Sequence, residues 1–285
     1  MLVLLTNDDG IYAPGLAALE REMRKLGEVV VVAPSSEQSG VGHAITYLAP
    51  LIVKDVFRNE GEDGERHWGW AVEGSPADCV KIGILQFCPR KPDLVVSGIN
   101  SGLNAGINVL YSGTVAAAIE GAFFGVTSFA VSLEFDAHAR YDQAAVLARE
   151  IIQQVLRKHA DGPRLYNLNI PTAALRGEPE ICIAPMNVTS YGDSFERRVD
   201  PWGRDYYWLI GRPPKTVAGE ETDLSALAKG KITLTPLDYD MTCRTALNEM
   251  RTWEFSLSPL AAGKHTCHAA APMRILEKKR RMADE

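Results

Sequence analysis

The chain has 285 residues, 46% of them hydrophobic and 23% charged, the composition of a globular protein with room for a substantial core. Thirty basic against 36 acidic residues leave a net charge of -6, which argues against a general binder of nucleic-acid duplexes or anionic membranes and means that an anionic substrate needs a local positive centre. The opening apolar run is cut short by two acids, no apolar stretch is long enough to span a bilayer, and the five cysteines include no C-x-x-C pair, so the expectation is a cytoplasmic protein with reduced thiols.

Met1 to Leu5 reads as a buried strand, too brief for a helix, and it stops at Thr6-Asn7-Asp8-Asp9-Gly10. Pro14 to Leu26 follows as a helix with Leu16, Leu19, Met23 and Leu26 on one face, and Glu28 to Ala33 as a second strand, which makes a right-handed βαβ unit. The loop Pro34 to Thr46 is rich in Ser and Gly and follows a strand end. His43 in it offers a general acid or a phosphate contact, against the plainer reading of an exposed loop histidine. Leu51 to Phe57 and the His67 to Val72 stretch suggest a hairpin, and Ser75 caps an expected helix over Ala77 to Phe87.

Asp93 to Gly98 is another apolar strand, leading through a loop of small residues and amides to Tyr111-Ser112-Gly113-Thr114 and a helix from Val115 to Phe124. A strand at Ser128 to Leu133, a long helix from Tyr141 to His159 and a strand at Arg164 to Ile170 continue the alternation. Beyond a boundary near residues 177–179 the texture changes. Ile181 to Val188, Arg204 to Ile210, Lys231 to Leu237 and Thr252 to Leu257 read as strands, with one short helix at Leu224 to Lys229. The expected fold is thus α/β, a Rossmann-like, mostly parallel sheet with helices on both faces (residues 1–178), plus a C-terminal β-rich extension (179–285). His265-Thr266-Cys267-His268 lacks a second cluster of zinc spacing, and the basic run Lys278 to Arg281 reads as solvated surface.

Three strand ends should share one rim: Asn7 to Gly10, Ser35 to Gly42, and Ser97 to Thr114. Their carboxylates, hydroxyls and amides are hard oxygen donors, suited to magnesium, manganese or calcium. Ser112-Gly113-Thr114 at a helix start offers free N–H groups and the positive end of a helix dipole to a phosphate, although a plain helix cap needs nothing more.

Asn7-Asp8-Asp9-Gly10, Ala33-Pro34 with Ser39-Gly40, Gly74-Ser75-Pro76-Ala77-Asp78-Cys79-Val80, Ser97-Gly98-Ile99-Asn100 and Tyr111 to Ala118 together resemble the signatures of the SurE family of survival nucleotidases. The match continues weakly through Asn169-Ile170-Pro171, Tyr206-Tyr207-Trp208 and Thr235-Pro236-Leu237. The resemblance implies a metal-dependent phosphatase that hydrolyses nucleoside monophosphates, a homodimer or homotetramer built through the C-terminal extension, and one divalent ion, magnesium or manganese, on Asp8, Asp9, Ser39 and Asn100. Leu103 and Ile107-Asn108 depart from the family pattern.

Asp8 and Asp9 are the expected catalytic residues, with attack by a metal-activated water. Asn104, Ser112, Gly113 and Thr114 are the expected substrate and phosphate contacts. Short polyphosphate is a further candidate substrate. Two other classes fit the same rim: a non-catalytic nucleotide- or polyphosphate-binding protein, and a phosphoacceptor receiver-like signalling module. The receiver needs a further Asp at a central strand end, where this chain has Ser97-Gly98-Ile99-Asn100.

Overall fold

In the computed structural model, which describes residues 1–59, 64–158, 162, 164–189, 194–210 and 221–257, the layering is set by β1 (Leu2–Thr6). Its alternating side chains enter two different cores, Val3 and Leu5 beneath one face of the sheet and Leu2 and Leu4 beneath the other. A strand covered on both faces reads as a continuous apolar run, as this one does.

The remaining elements are α1 (Pro14–Met23), β2 (Glu28–Pro34), β3 (Val53–Asn59), β4 (Glu65–Val72), α2 (Pro76–Ile82), β5 (Leu94–Ser101), α3 (Gly113–Phe123), β6 (Thr127–Leu133), α4 (Tyr141–Lys158), β7 (Leu165–Ile170), β8 (Ile181–Ile183), β9 (Ser194–Val199), β10 (Asp205–Ile210), α5 (Asp223–Ala228), β11 (Ile232–Leu237) and α6 (Arg244–Met250). Nine strands form one sheet in the order β3-β4-β2-β1-β5-β6-β7-β11-β8. Its middle, from β4 to β7, is parallel throughout. β3 and β11 pair antiparallel to β4 and β7, and β8 runs parallel to β11.

Leu16, Leu19 and Met23 of α1 join Ala144, Ala148 and Ile152 of α4 in the core on one face. Cys79 and Val80 of α2 and Ala117 of α3 cover the other. The chain winds outward from β1 to β2 and later restarts on the opposite side of β1 with β5. That reversal opens a crevice at the carboxyl ends of β1 and β5, where open α/β sheets place their ligands. The expected α/β class, mostly parallel with helices on both faces, is what the protein has.

Several boundaries differ from the sequence reading. The helix expected to run to Phe87 is α-helical only to Ile82 and continues as a π-helical turn over Gly83–Phe87. The strand expected from Ile181 to Val188 stops at Ile183. No strand forms at 252–257, where the Thr252 and Trp253 amides donate back to the Glu249 and Met250 carbonyls at the end of α6 and stay out of any ladder. β9, not expected from sequence, pairs with β10 in a separate antiparallel hairpin whose side chains are exposed throughout.

Met1–Tyr239 is one compact unit, so β8, α5 and β11 belong with the core, while Asp240–Glu285 is a second unit. Residues 265–268 and the tail from 274 lie outside the described residues. Among the described residues, no helix is long and apolar enough to cross a membrane.

Candidate active site

The carboxyl end of β1 turns at Asn7, whose Nδ2 donates to the Gly10 carbonyl at 2.9 Å. Gly10 has a φ of 96°, and a Cβ there would press to 3.3 Å from the Ser36 backbone, so glycine is needed both for the turn and for the close passage of the next loop. That passage brings the Gln38 amide to the Asp8 carbonyl at 2.8 Å. The loop bearing Ser39 is thereby tied to the acidic turn.

Asp8 is 4% exposed, and its Oδ1 accepts a hydrogen bond from Thr114 Oγ1 at 2.6 Å. A Cβ on Gly113 would sit 2.9 Å from Asp8 Cβ and 3.2 Å from Asp8 Oδ2. The first turn of α3 is thus packed directly on the Asp8 carboxylate, and only glycine permits that approach. Ser112 caps α3, its Oγ accepting from the Val115 amide at 3.2 Å. The plain capping role is therefore real for Ser112. The start of an eleven-residue helix, with the positive end of its dipole, lies directly beside the acids.

Asp9 reaches the other side of the crevice, where its Oδ2 accepts from the Ser101 amide at 3.1 Å. β5 bulges between Ser97 and Asn100, and Asn100 Nδ2 donates to the Gly102 carbonyl at 2.7 Å. With the amide nitrogen held there, the Asn100 oxygen is the end of the side chain that has no hydrogen bond among the described residues. Ser39 is exposed, and its hydroxyl donates to Glu37 Oε1 at 2.7 Å.

Asn104 lies deeper. Its Nδ2 donates to Ser132 Oγ at 2.9 Å and to Thr114 Oγ1 at 3.3 Å, while its backbone carbonyl accepts from Asn167 and Asn169 of β7. In this structure Asn104 reaches the acids through Thr114.

Burial pushes the Asp8 carboxyl above its usual range, with hydrogen bonds from Thr114 offsetting part of the effect. Asp9 is raised to about 6, first by burial and then by the Asp8 charge; the Ser101 amide opposes this and Glu37 adds to it. Among the described residues, no Lys, Arg or His forms an ion pair with either acid. Two adjacent carboxylates, both pushed up by burial and without a basic partner among the described residues, are the surroundings that a cation would relieve.

Among the described residues, no three His, Cys, Asp or Glu side chains converge as a metal cluster. An ion would therefore rest on two carboxylates with hydroxyl and amide oxygens. That hard-oxygen set fits magnesium or manganese and does not fit zinc.

A family model, Survival protein SurE, matches residues 3–195. The chain belongs to the SurE family. Its relatives include the 5'-nucleotidase SurE of Rhodopirellula baltica, 56% identical over 254 residues, a match covering 89% of this chain and 98% of that protein. A second, the 5'-nucleotidase SurE of Carboxydothermus hydrogenoformans, is 42% identical, the match covering 92% of this chain and all of that protein. The crystal structure of the SurE protein from Aquifex aeolicus superposes with a TM-score of 0.74 at 34% identity, covering 88% of this chain and 98% of that one.

Two contributors to the rim escaped the sequence reading. Glu37 acts on both aspartates through its charge and holds the Ser39 hydroxyl. The Ser101 amide orients Asp9 and carries no side-chain signal at all. The acid two residues before Ser39 was the only available hint of the first.

Proposed function

We propose that the protein is a divalent-metal-dependent nucleotidase that hydrolyses nucleoside monophosphates to nucleoside and inorganic phosphate, with short polyphosphate as a second substrate. The observation that carries this reading is the contact of α3's first turn with Asp8. It sets an anion-binding helix start against two carboxylates that have no ion-pair partner among the described residues. The names of the relatives support the substrate class.

Asp8, Asp9, Ser39 and Asn100 are the residues that would hold the ion, one magnesium or manganese. When bound, such an ion supplies charge neutralisation at phosphate and lowers the pKa of water in its shell. Ser112, Gly113 and Thr114 receive the phosphate oxygens at the helix start, and Asn104 fixes Thr114 from behind. Asp9 orients the attacking water in line with the departing nucleoside oxygen and takes its proton. Positioning and charge balance carry most of the remaining work, as is general for phosphoryl transfer. Direct attack by water inverts configuration at phosphorus, whereas an aspartyl-phosphate route gives net retention.

Phosphate release is to be measured across 5' and 3' nucleoside monophosphates and short polyphosphate. The nucleotidase reading requires turnover of at least one nucleotide, direct attack by water requires inversion at phosphorus, and the site requires loss of turnover in Asp8→Asn and Asn100→Ala. Full activity and metal affinity in both variants would refute the site.

We also propose that residues 179–285 serve self-association into a homodimer or homotetramer. The support is the β9–β10 hairpin, which leaves Phe195, Val199, Tyr207, Trp208 and Leu209 exposed. A cytoplasmic location is proposed with it, supported by Cys79, Cys88, Cys182 and Cys243 being free thiols.

A further inference from the structure

The loop of residues 35–46, which bears Ser39, is joined to the acidic turn by the Gln38 amide and is fastened beyond Ser39 at two further points by carboxylates rooted in helices. One fastening is local to the start of α2. Asp78 accepts from the Thr46 amide at 3.0 Å and from Thr46 Oγ1 at 2.7 Å, and Ser75 Oγ donates to the Ala44 carbonyl at 2.6 Å. The other reaches across to α3. Glu120, with a side chain only 5% exposed, places Oε2 2.9 Å from His43 Nε2 and Oε1 3.2 Å from Lys81 Nζ.

The His43 ring also stacks on Phe123, one helical turn further along α3, with centroids 5.3 Å apart and planes at 27°. Phe123 is in turn braced edge-on by Tyr239 at 4.8 Å. Between the fastenings and the site, the Gly42 amide donates to the Tyr111 carbonyl at 3.0 Å, immediately ahead of the phosphate-binding turn.

We propose that His43 is a positioning residue: clamped by Glu120 and Phe123, it fixes the loop on α3 so that Ser39 is held at the cation site formed by Asp8, Asp9 and Asn100. A buried carboxylate needs partners to remain ionised, and His43 and Lys81 supply them. Burial pushes the Glu120 carboxyl up, but its bonds to His43 and Lys81 outweigh that and hold it below the usual value. α3 thus acts on the site twice, at its first turn through Gly113 and Thr114 and at its last through Glu120 and Phe123. The Gln38 amide on the Asp8 carbonyl holds the loop on the near side of Ser39, and His43 holds it on the far side; the Ser39 hydroxyl itself donates to Glu37 on the same loop, which adds no tie to the sheet. The Ser39 part of the inference rests on the divalent-cation reading given above.

The test uses the full chain and the variants His43→Ala and His43→Gln. His43 is the position of choice because its side chain is 28% exposed, whereas Glu120 is only 5% exposed inside α3 and also pairs with Lys81. Hydrogen–deuterium exchange over residues 38–44 is expected to speed up by about 10-fold or more in His43→Ala, with the Thr46 amide and α3 unchanged. Manganese binding, followed by electron paramagnetic resonance, is expected to weaken by about 10-fold in the same variant, and His43→Gln, which keeps a donor, should recover most of both. Exchange and manganese affinity within about twofold of wild type in His43→Ala would overturn the proposal. If the wild-type protein bound no manganese, the cation reading would fall, while the exchange result would still decide the clamp.

Discussion

Gly113→Ala is the substitution on which the packing of the site depends most sharply. The backbone there is not left-handed, so alanine is conformationally allowed, and its helix propensity favours the change by up to about 1 kcal/mol. The space does not allow it. The new methyl would lie 2.9 Å from Asp8 Cβ and 3.1 Å from Pro76 Cγ, one atom next to the backbone and the other in a rigid ring. Ordinary carbon contacts begin near about 3.5 Å, so α3 and the Asp8 turn must separate by roughly 0.6 Å.

Overpacking of this kind costs about 1–3 kcal/mol, which leaves a net loss of roughly 0–2 kcal/mol in stability once propensity is credited. The catalytic cost should be larger in proportion. A misplacement of about 1 Å costs on the order of 100-fold in rate, so turnover should fall by roughly 10- to 100-fold while the protein stays folded. Phosphate release with a thermal melt on the same sample measures both. A variant that keeps more than about half of wild-type turnover would refute the contact between α3 and Asp8 as the organising feature of the site.

Thr114→Val keeps the shape of the side chain but removes the donor to Asp8 and the acceptor of Asn104. It should cost about 1–3 kcal/mol in chemical denaturation, and an unchanged midpoint would count against the buried chain of bonds. Asp78 provides a pH test. Burial raises its carboxyl pKa, but hydrogen bonds from Thr46 and Ser75 prevail and hold it below the unfolded value of about 3.9. Its contribution is therefore full above that value and lost as pH falls through the folded pKa, so the stability gap between wild type and Asp78→Asn should narrow on acidification below about pH 4. A gap independent of pH would refute it. Trp208→Glu, on the exposed hairpin, should shift light scattering toward monomer at micromolar concentration; a wild-type protein that is already monomeric would refute the interface.

Much of this was readable from the chain, for identifiable reasons. β1, β2 and the first part of β5 are buried on both faces and so appear as apolar runs, and α1 and α4 carry their apolar stripes at helical spacing. The acids at the end of β1 and the Ser-Gly-Thr turn at the start of α3 could be placed on one rim because sheet topology alone puts them there. Less was legible where pairing or distance decides. β9 carries three successive charges, Glu196, Arg197 and Arg198, and becomes a strand only because β10 lies beside it, whereas 252–257 has strand-like residues but no partner strand among the described residues. Glu120 lies 77 positions from His43 inside an alanine-rich helix, so nothing local marked it as a contact. Asn104 looked like a loop amide facing substrate, but only the fold brings Ser132, Asn167 and Asn169 against it.

The most direct measurement is phosphate release from a nucleoside 5'-monophosphate by the wild-type protein and Asp8→Asn, first after chelation and then on adding back manganese or magnesium. A metal site on the Asp8-Asp9 turn requires that chelation stop the wild-type reaction, that the added ion restore it, and that Asp8→Asn stay inactive at any ion concentration. Release that continues undiminished in chelator, or an Asp8→Asn variant that responds to the ion as the wild type does, would contradict it.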